Sequence, residues 1–126
     1  MSTLTLSSSV RTHPTWPYET IKTAILGKSY QMSLAFVGEA RAQKLNLTYR
    51  KKDYIPNVLS FPLDTNNGEI YICPAVAKKQ AKDFDLSVDG YIAFLFIHGC
   101  VHLKGHDHGA TMEKLEQKYL RQFHIS

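Results

Sequence analysis

Cysteine is scarce in this chain: Cys73 and Cys100 are the two sulfhydryl residues among 126. A small secreted domain stapled by disulfides needs a denser framework, so both read as thiols on small buried side chains. Long hydrophobic runs are also missing. The longest one near the centre, Ile92–Ile97, falls far short of the roughly 20 apolar residues of a membrane-spanning helix, which predicts no contact with a membrane. Met1–Ser9 lacks the basic start and apolar stretch of a secretory signal, and the expected location is the cytoplasm. Charge of one sign does not dominate either. A net charge of +4 permits a polyanionic partner without demanding one. What is present is a hydrophobic content of 44%, enough for one packed core and hence for one domain over residues 1–126.

The patterning predicts an α+β fold, a small mixed β-sheet packed against several helices. Leu4–Val10 alternates weakly and reads as a first strand. Pro17–Leu26 reads as a helix stopped by Gly27, Gln31–Val37 as a half-buried strand with Met32, Leu34 and Phe36 on one face, and Glu39–Tyr49 as a second helix. Polar Arg50–Asn57 predicts an exposed loop. Val58–Phe61 and Glu69–Cys73 flank the turn signal Asn66-Asn67-Gly68 and predict an antiparallel hairpin with a longer loop. Pro74 opens a helix to about Phe84. Ser87 caps Val88–Leu103, apolar on nearly every side and therefore the buried central helix. Thr111–Phe123 predicts a last amphipathic helix with Met112, Leu115, Tyr119 and Phe123 along one face.

Four of the six histidines fall within His98–His108. Residues four apart share a helix face, so His98 and His102 aim at a common point. Gly105 can take the left-handed conformation that ends a helix, and the chain then turns back to bring His108 as a third ligand. Three imidazoles with one open position are the pattern of catalytic zinc, whereas structural zinc sites close with four protein ligands. The expected cofactor is one zinc ion per chain, although nickel and copper accept the same donors. His13, His106 and His124 read as ordinary structural or surface histidines. The three ligands and the glycine match the metzincin spacing H-E-x-x-H-x-x-G-x-x-H, giving a metzincin-like zinc helix, but Gly99 stands where that pattern has its general-base glutamate. This argues against peptide hydrolysis and leaves the metal geometry intact.

A second constellation, Asn46-Leu-Thr-Tyr-Arg50-Lys51-Lys52-Asp53, leads through Pro56 into Asn57-Val-Leu-Ser60-Phe61-Pro62. Three consecutive basic residues on a predicted loop are often no more than a solvated face. Together with Gly68-Glu-Ile-Tyr-Ile-Cys-Pro74 and the histidine motif H-G-x-x-H-L-x-G-x-D-H, however, the segment resembles the YbeY family, with all three motifs in the same order over about Gly38–Phe123.

The resemblance implies a zinc-dependent endoribonuclease that acts on single-stranded RNA. It implies work in ribosomal RNA maturation, notably at the 3′ end of the small-subunit rRNA, and in ribosome quality control, with rRNA and ribosomal particles as partners. It also implies the metal triad His98, His102 and His108, a functionally important Arg50, and a mixed sheet with surrounding helices. For phosphodiester cleavage the metal would activate the nucleophile or the leaving group, and Arg50, a planar fork of donors, would bind the phosphate and offset its charge. Asp107 is expected to orient a ligand histidine. Ser60 is a lesser candidate for RNA contact. Two other readings remain open on the residues: a metal-dependent peptidase or other hydrolase, and a non-catalytic ribosome-assembly factor.

Overall fold

In the computed structural model, which describes residues 3–126, the expected alternation becomes four strands and five helices. They run β1 (Leu4–Ser8), α1 (Tyr18–Leu26), β2 (Gln31–Phe36), α2 (Glu39–Arg50), β3 (Val58–Asp64), β4 (Asn67–Ile72), α3 (Pro74–Gln80), α4 (Val88–Leu103) and α5 (Ala110–Gln122). The sheet order is β1-β2-β4-β3, with β1 and β4 parallel to β2 and β3 antiparallel to β4. This is the mixed α+β architecture the patterning predicts.

Met32, Leu34 and Phe36 from β2 and Ile70 and Ile72 from β4 face one side of the sheet and are buried with Ile21 and Ile25 of α1 and with the apolar body of α4. A smaller cluster joins Ala35 and Val37 to Ala42 of α2 and to Cys73 and Val76, so the second face of β2 is also covered at its end. Both cysteines are buried and unpaired, and burial pushes the Cys100 thiol upward, away from thiolate chemistry. No single helix among the described residues is long and apolar enough to cross a membrane.

Three local expectations need correction. Arg50 is not a loop residue: it closes the last turn of α2, and Lys51 ends the helix in the left-handed region at φ 59°. The helix from Pro74 tightens into a 3₁₀ turn at Ala81–Phe84 instead of continuing as α. The hairpin turns on Thr65 and Asn66, tighter than expected, with Asn67 and Gly68 already inside β4. Gly68 is needed there as a close-approach residue, since a Cβ would lie 2.4 Å from the Tyr30 hydroxyl oxygen and 3.1 Å from Leu103. Pro62 is tolerated within β3 because β3 is an edge strand.

One buried charge gave no warning in the sequence. Lys22 on α1 is fully buried, and its ammonium donates to the carbonyls of Gly27 and Tyr30 at 3.2 and 2.9 Å and to the Thr3 hydroxyl. It therefore satisfies acceptors where α1 ends, and burial lowers its pKa from the usual lysine value.

Candidate metal centre

Helix α4 begins where the Ser87 hydroxyl accepts the Gly90 N–H and runs beneath the sheet because nearly every face is apolar. Its termination builds the site. Gly105, at φ +109°, donates to the His102 carbonyl at 2.9 Å while His106 N–H reaches the Val101 carbonyl at 3.3 Å. This is the paired pattern of a Schellman turn. The reversed chain brings His108 back to His98 and His102, and the three rings lie with centroids 4.7, 5.2 and 4.9 Å apart. One ligand nitrogen from each lies within 4.8 Å of the other two, a group able to hold a metal ion. His13 instead stacks on Phe36, and His124 stays exposed at the end of the chain.

Two of the rings are held by their other nitrogen. His102 Nδ1 lies 3.0 Å from the His106 carbonyl oxygen. A carbonyl can only accept, so Nδ1 carries the proton and Nε2 presents its lone pair. His106 thus serves the site with its backbone. His98 Nδ1 lies 2.5 Å from Glu116 Oε2 on α5, and a carboxylate there fixes the ring in the same sense. Burial is the main cause that lowers the His102 pKa, and the neighbouring His98 and His108 add to it. His102 is thus biased toward the neutral imidazole that a borderline-soft cation such as zinc accepts.

Glu116 corrects the expectation for Asp107. Asp107 is exposed, and among the described residues the carboxylate hydrogen-bonded to a triad ring is Glu116, which is buried. A signal for it existed: residue 116 falls on the buried face of α5 with Met112, Tyr119 and Leu120, where a carboxylate is out of place unless it has a partner. Glu116→Gln is expected to weaken metal affinity by about 10- to 100-fold, the usual effect of losing a carboxylate behind a ligand histidine. Asp107→Asn should leave affinity within about twofold. Competitive titration against a chromogenic chelator measures both, and equal effects would return the role to Asp107.

Gly99 explains its own departure from the peptidase pattern. It is buried against the sheet, and a Cβ there would sit 2.9 Å from Ile70 Cδ1. Gly99→Glu is expected to lower stability by at least about 1–3 kcal/mol through overpacking, visible as a reduced thermal midpoint, and to yield no casein cleavage. A stable variant that digests casein would revive the peptidase reading.

The triad lines a cleft of about 530 Å³ whose walls also carry Arg50, Tyr54, Asn57 and Ser60. Arg50 is exposed and donates through Nη1 to Asn46 Oδ1 at 3.2 Å and to the Tyr54 hydroxyl at 3.4 Å. Asn46, fully buried, in turn donates to the Tyr54 carbonyl at 3.0 Å, tying α2 to the following loop. Lys51 and Lys52 do not line this cleft. The three histidines, Arg50 and Ser60 are therefore brought to one surface feature, and the rest of the basic run is not.

The family model described as "Endoribonuclease YbeY" matches residues 10–124. A Pseudomonas putida protein named endoribonuclease YbeY is 40% identical over 105 residues, which cover 73% of this chain and 67% of that protein. Its namesake from Finegoldia magna is 45% identical over 87 residues, covering 64% and 57% respectively. A Thermotoga maritima protein solved in solution shares the fold at a TM-score of 0.68 and 23% identity, with 95% of this chain and 88% of that one covered. With a match that spans nearly the whole sequence and includes every residue of the histidine cluster and the Arg50 segment, the chain belongs to the YbeY endoribonuclease family.

Proposed function

We propose that the protein is a zinc-dependent endoribonuclease that cuts single-stranded RNA and acts in ribosomal RNA maturation, notably at the small-subunit 3′ end, and in ribosome quality control. The observation that carries the reading is the shared cleft: three histidine nitrogens within 4.8 Å of one another and the guanidinium of Arg50 line the same walls. His98, His102 and His108 would hold the ion. When bound, zinc supplies Lewis acidity and lowers the pKa of water to about 7.

The protein's own residues divide the remaining work. Glu116 and the His106 carbonyl keep two ligand rings oriented. Asn46 and Tyr54 steady the Arg50 side chain, and their contacts use only Nη1 of a group with five N–H donors. Arg50 binds the phosphate of the substrate and stabilises the charge that develops on it.

Stripping the metal with a chelator is expected to abolish cleavage of a single-stranded RNA covering the small-subunit 3′ end, and stoichiometric zinc should restore it. A fully paired RNA should be cut at least about tenfold more slowly, and casein not at all. Undiminished RNA cleavage by demonstrably metal-free protein would sink the zinc-dependent mechanism. Metal-independent RNA binding without any cleavage would favour an assembly factor instead.

A further inference from the structure

A second, larger groove of about 1110 Å³ opens on the other side of the histidines, and His98, His108 and Asn57 line both it and the Arg50 cleft. Its wall is aromatic. Phe84, at the end of the 3₁₀ turn, packs on both Tyr91 (4.8 Å, 28°) and Phe94 (5.8 Å, 33°), which lie 5.8 Å apart in a three-ring cluster, and Phe94 lies 6.1 Å from the His98 ring. Phe84 is 50% exposed, so the aromatic cluster that reaches a triad histidine presents an uncovered ring. Helix α5 contributes Gln117 and Arg121 to the same groove.

The two clefts differ in charge. Among the described residues that line the first, Arg50 is the one charged side chain besides the histidines, and none is a carboxylate. The second carries Asp85, Glu113 and Glu116 against Arg121, a balance that repels a phosphate and tolerates a neutral aromatic group. Every nucleobase has a π-face that stacks on an aromatic side chain irrespective of sequence, and a groove above about 300 Å³ is large enough for one.

We propose that this groove is a base-binding subsite: the backbone of a single-stranded RNA follows the Arg50 side, and one unpaired base next to the cut bond stacks on Phe84, backed by Tyr91 and Phe94. The inference rests on the endoribonuclease reading and extends it to the device that selects single strands. A base inside a duplex is already stacked and paired, and it must leave the helix to reach Phe84.

The test uses the zinc-loaded protein with two probes. The first is a series of single-stranded RNA oligonucleotides carrying one abasic position at successive sites around the cut. For wild type, one abasic position should raise KM by about tenfold, the scale of a lost base–aromatic stack. Phe84→Ala should raise KM for the intact oligonucleotide by a similar factor, leave kcat and zinc content unchanged, and add nothing further on that abasic substrate. Phe84→Tyr should retain wild-type KM, whereas Phe84→Leu, which keeps bulk without a ring, should not. The second probe needs no cleavage: with 2-aminopurine placed at each position in turn, one position should be quenched on binding wild type and none on binding Phe84→Ala. Equal KM for all abasic oligonucleotides, together with unquenched 2-aminopurine, overturns the subsite while leaving the nuclease reading intact. Phe84-dependent quenching without any cleavage upholds the subsite and overturns the nuclease reading.

Discussion

His102→Ala is expected to yield folded protein with less than about a tenth of the wild-type metal content and no measurable RNA cleavage, because three ligands leave no spare donor. The His102 ring lies 4.7 and 4.9 Å from the other two triad rings, and its Nδ1–H is committed to the His106 carbonyl. His98→Ala and His108→Ala should behave in the same way. His106→Ala should keep its metal, since the variant retains the backbone carbonyl through which residue 106 acts. Elemental analysis alongside a thermal melt separates metal loss from unfolding. Full occupancy in any of the three ligand variants, or loss of metal in His106→Ala, would mean that the triad has been misassigned.

Acid provides an independent approach to the same ligand. Burial and two imidazole neighbours lower the His102 pKa, so its ring remains a neutral donor below the ordinary histidine value of about 6.5. In the metal-free protein the unfolded chain then binds the extra proton first. The contribution of this group to stability is complete above about pH 6.5 and is lost as pH falls through that value toward the lower native pKa. Metal loading should fall in the same direction, because a protonated ring has no lone pair to donate. A pH series of metal content and of apo-protein melting reads both effects.

Helix α4 and the histidine triad gathered at its end were legible in the sequence because the determinants are local: Ser87 caps the helix, Gly105 ends it, and a four-residue interval sets two rings on one face. The strands were legible for the same reason, through alternation in β2 and the flanking turn signals. What escaped is set by tertiary contact. Glu116 lies 18 residues from His98 in sequence, and its place on the apolar face of α5 marks a carboxylate in need of a partner without naming that partner until α5 docks on α4. Gly68 looks like the third residue of a turn, but it belongs to a strand that passes under Tyr30. Lys22 looks like a solvated lysine until the chain beyond α1 folds its carbonyls around the ammonium. For Glu116 and Gly68 the missing information is a neighbour distant along the chain, and for Lys22 it is the path of the next eight residues.

The Arg50 segment lies between these extremes. Its residue type and motif pointed to phosphate recognition, whereas only the fold separates it from the adjacent lysines: Arg50 closes α2 on the wall of the metal cleft, and Lys51 and Lys52 line other surface. Arg50→Ala should therefore leave metal content and the thermal midpoint nearly unchanged while single-stranded RNA cleavage falls by about 10²-fold or more, the scale of removing one preorganised charge-stabilising donor. Arg50→Lys should recover only part of the rate, because an ammonium keeps the charge and loses the planar fork. Asn46→Ala tests the support beneath it. Removing that amide takes away one of the two partners of Nη1 and unties the Tyr54 carbonyl, so the rate should fall with Arg50 still present. Lys51→Ala and Lys52→Ala should cost no more than about threefold, and less at higher salt, as exposed charges are screened. Single-turnover cleavage rates across this set discriminate the outcomes. Equal losses at all three basic positions would make the segment a diffuse electrostatic surface, and wild-type rates in Arg50→Ala would remove phosphate binding from the role of this arginine.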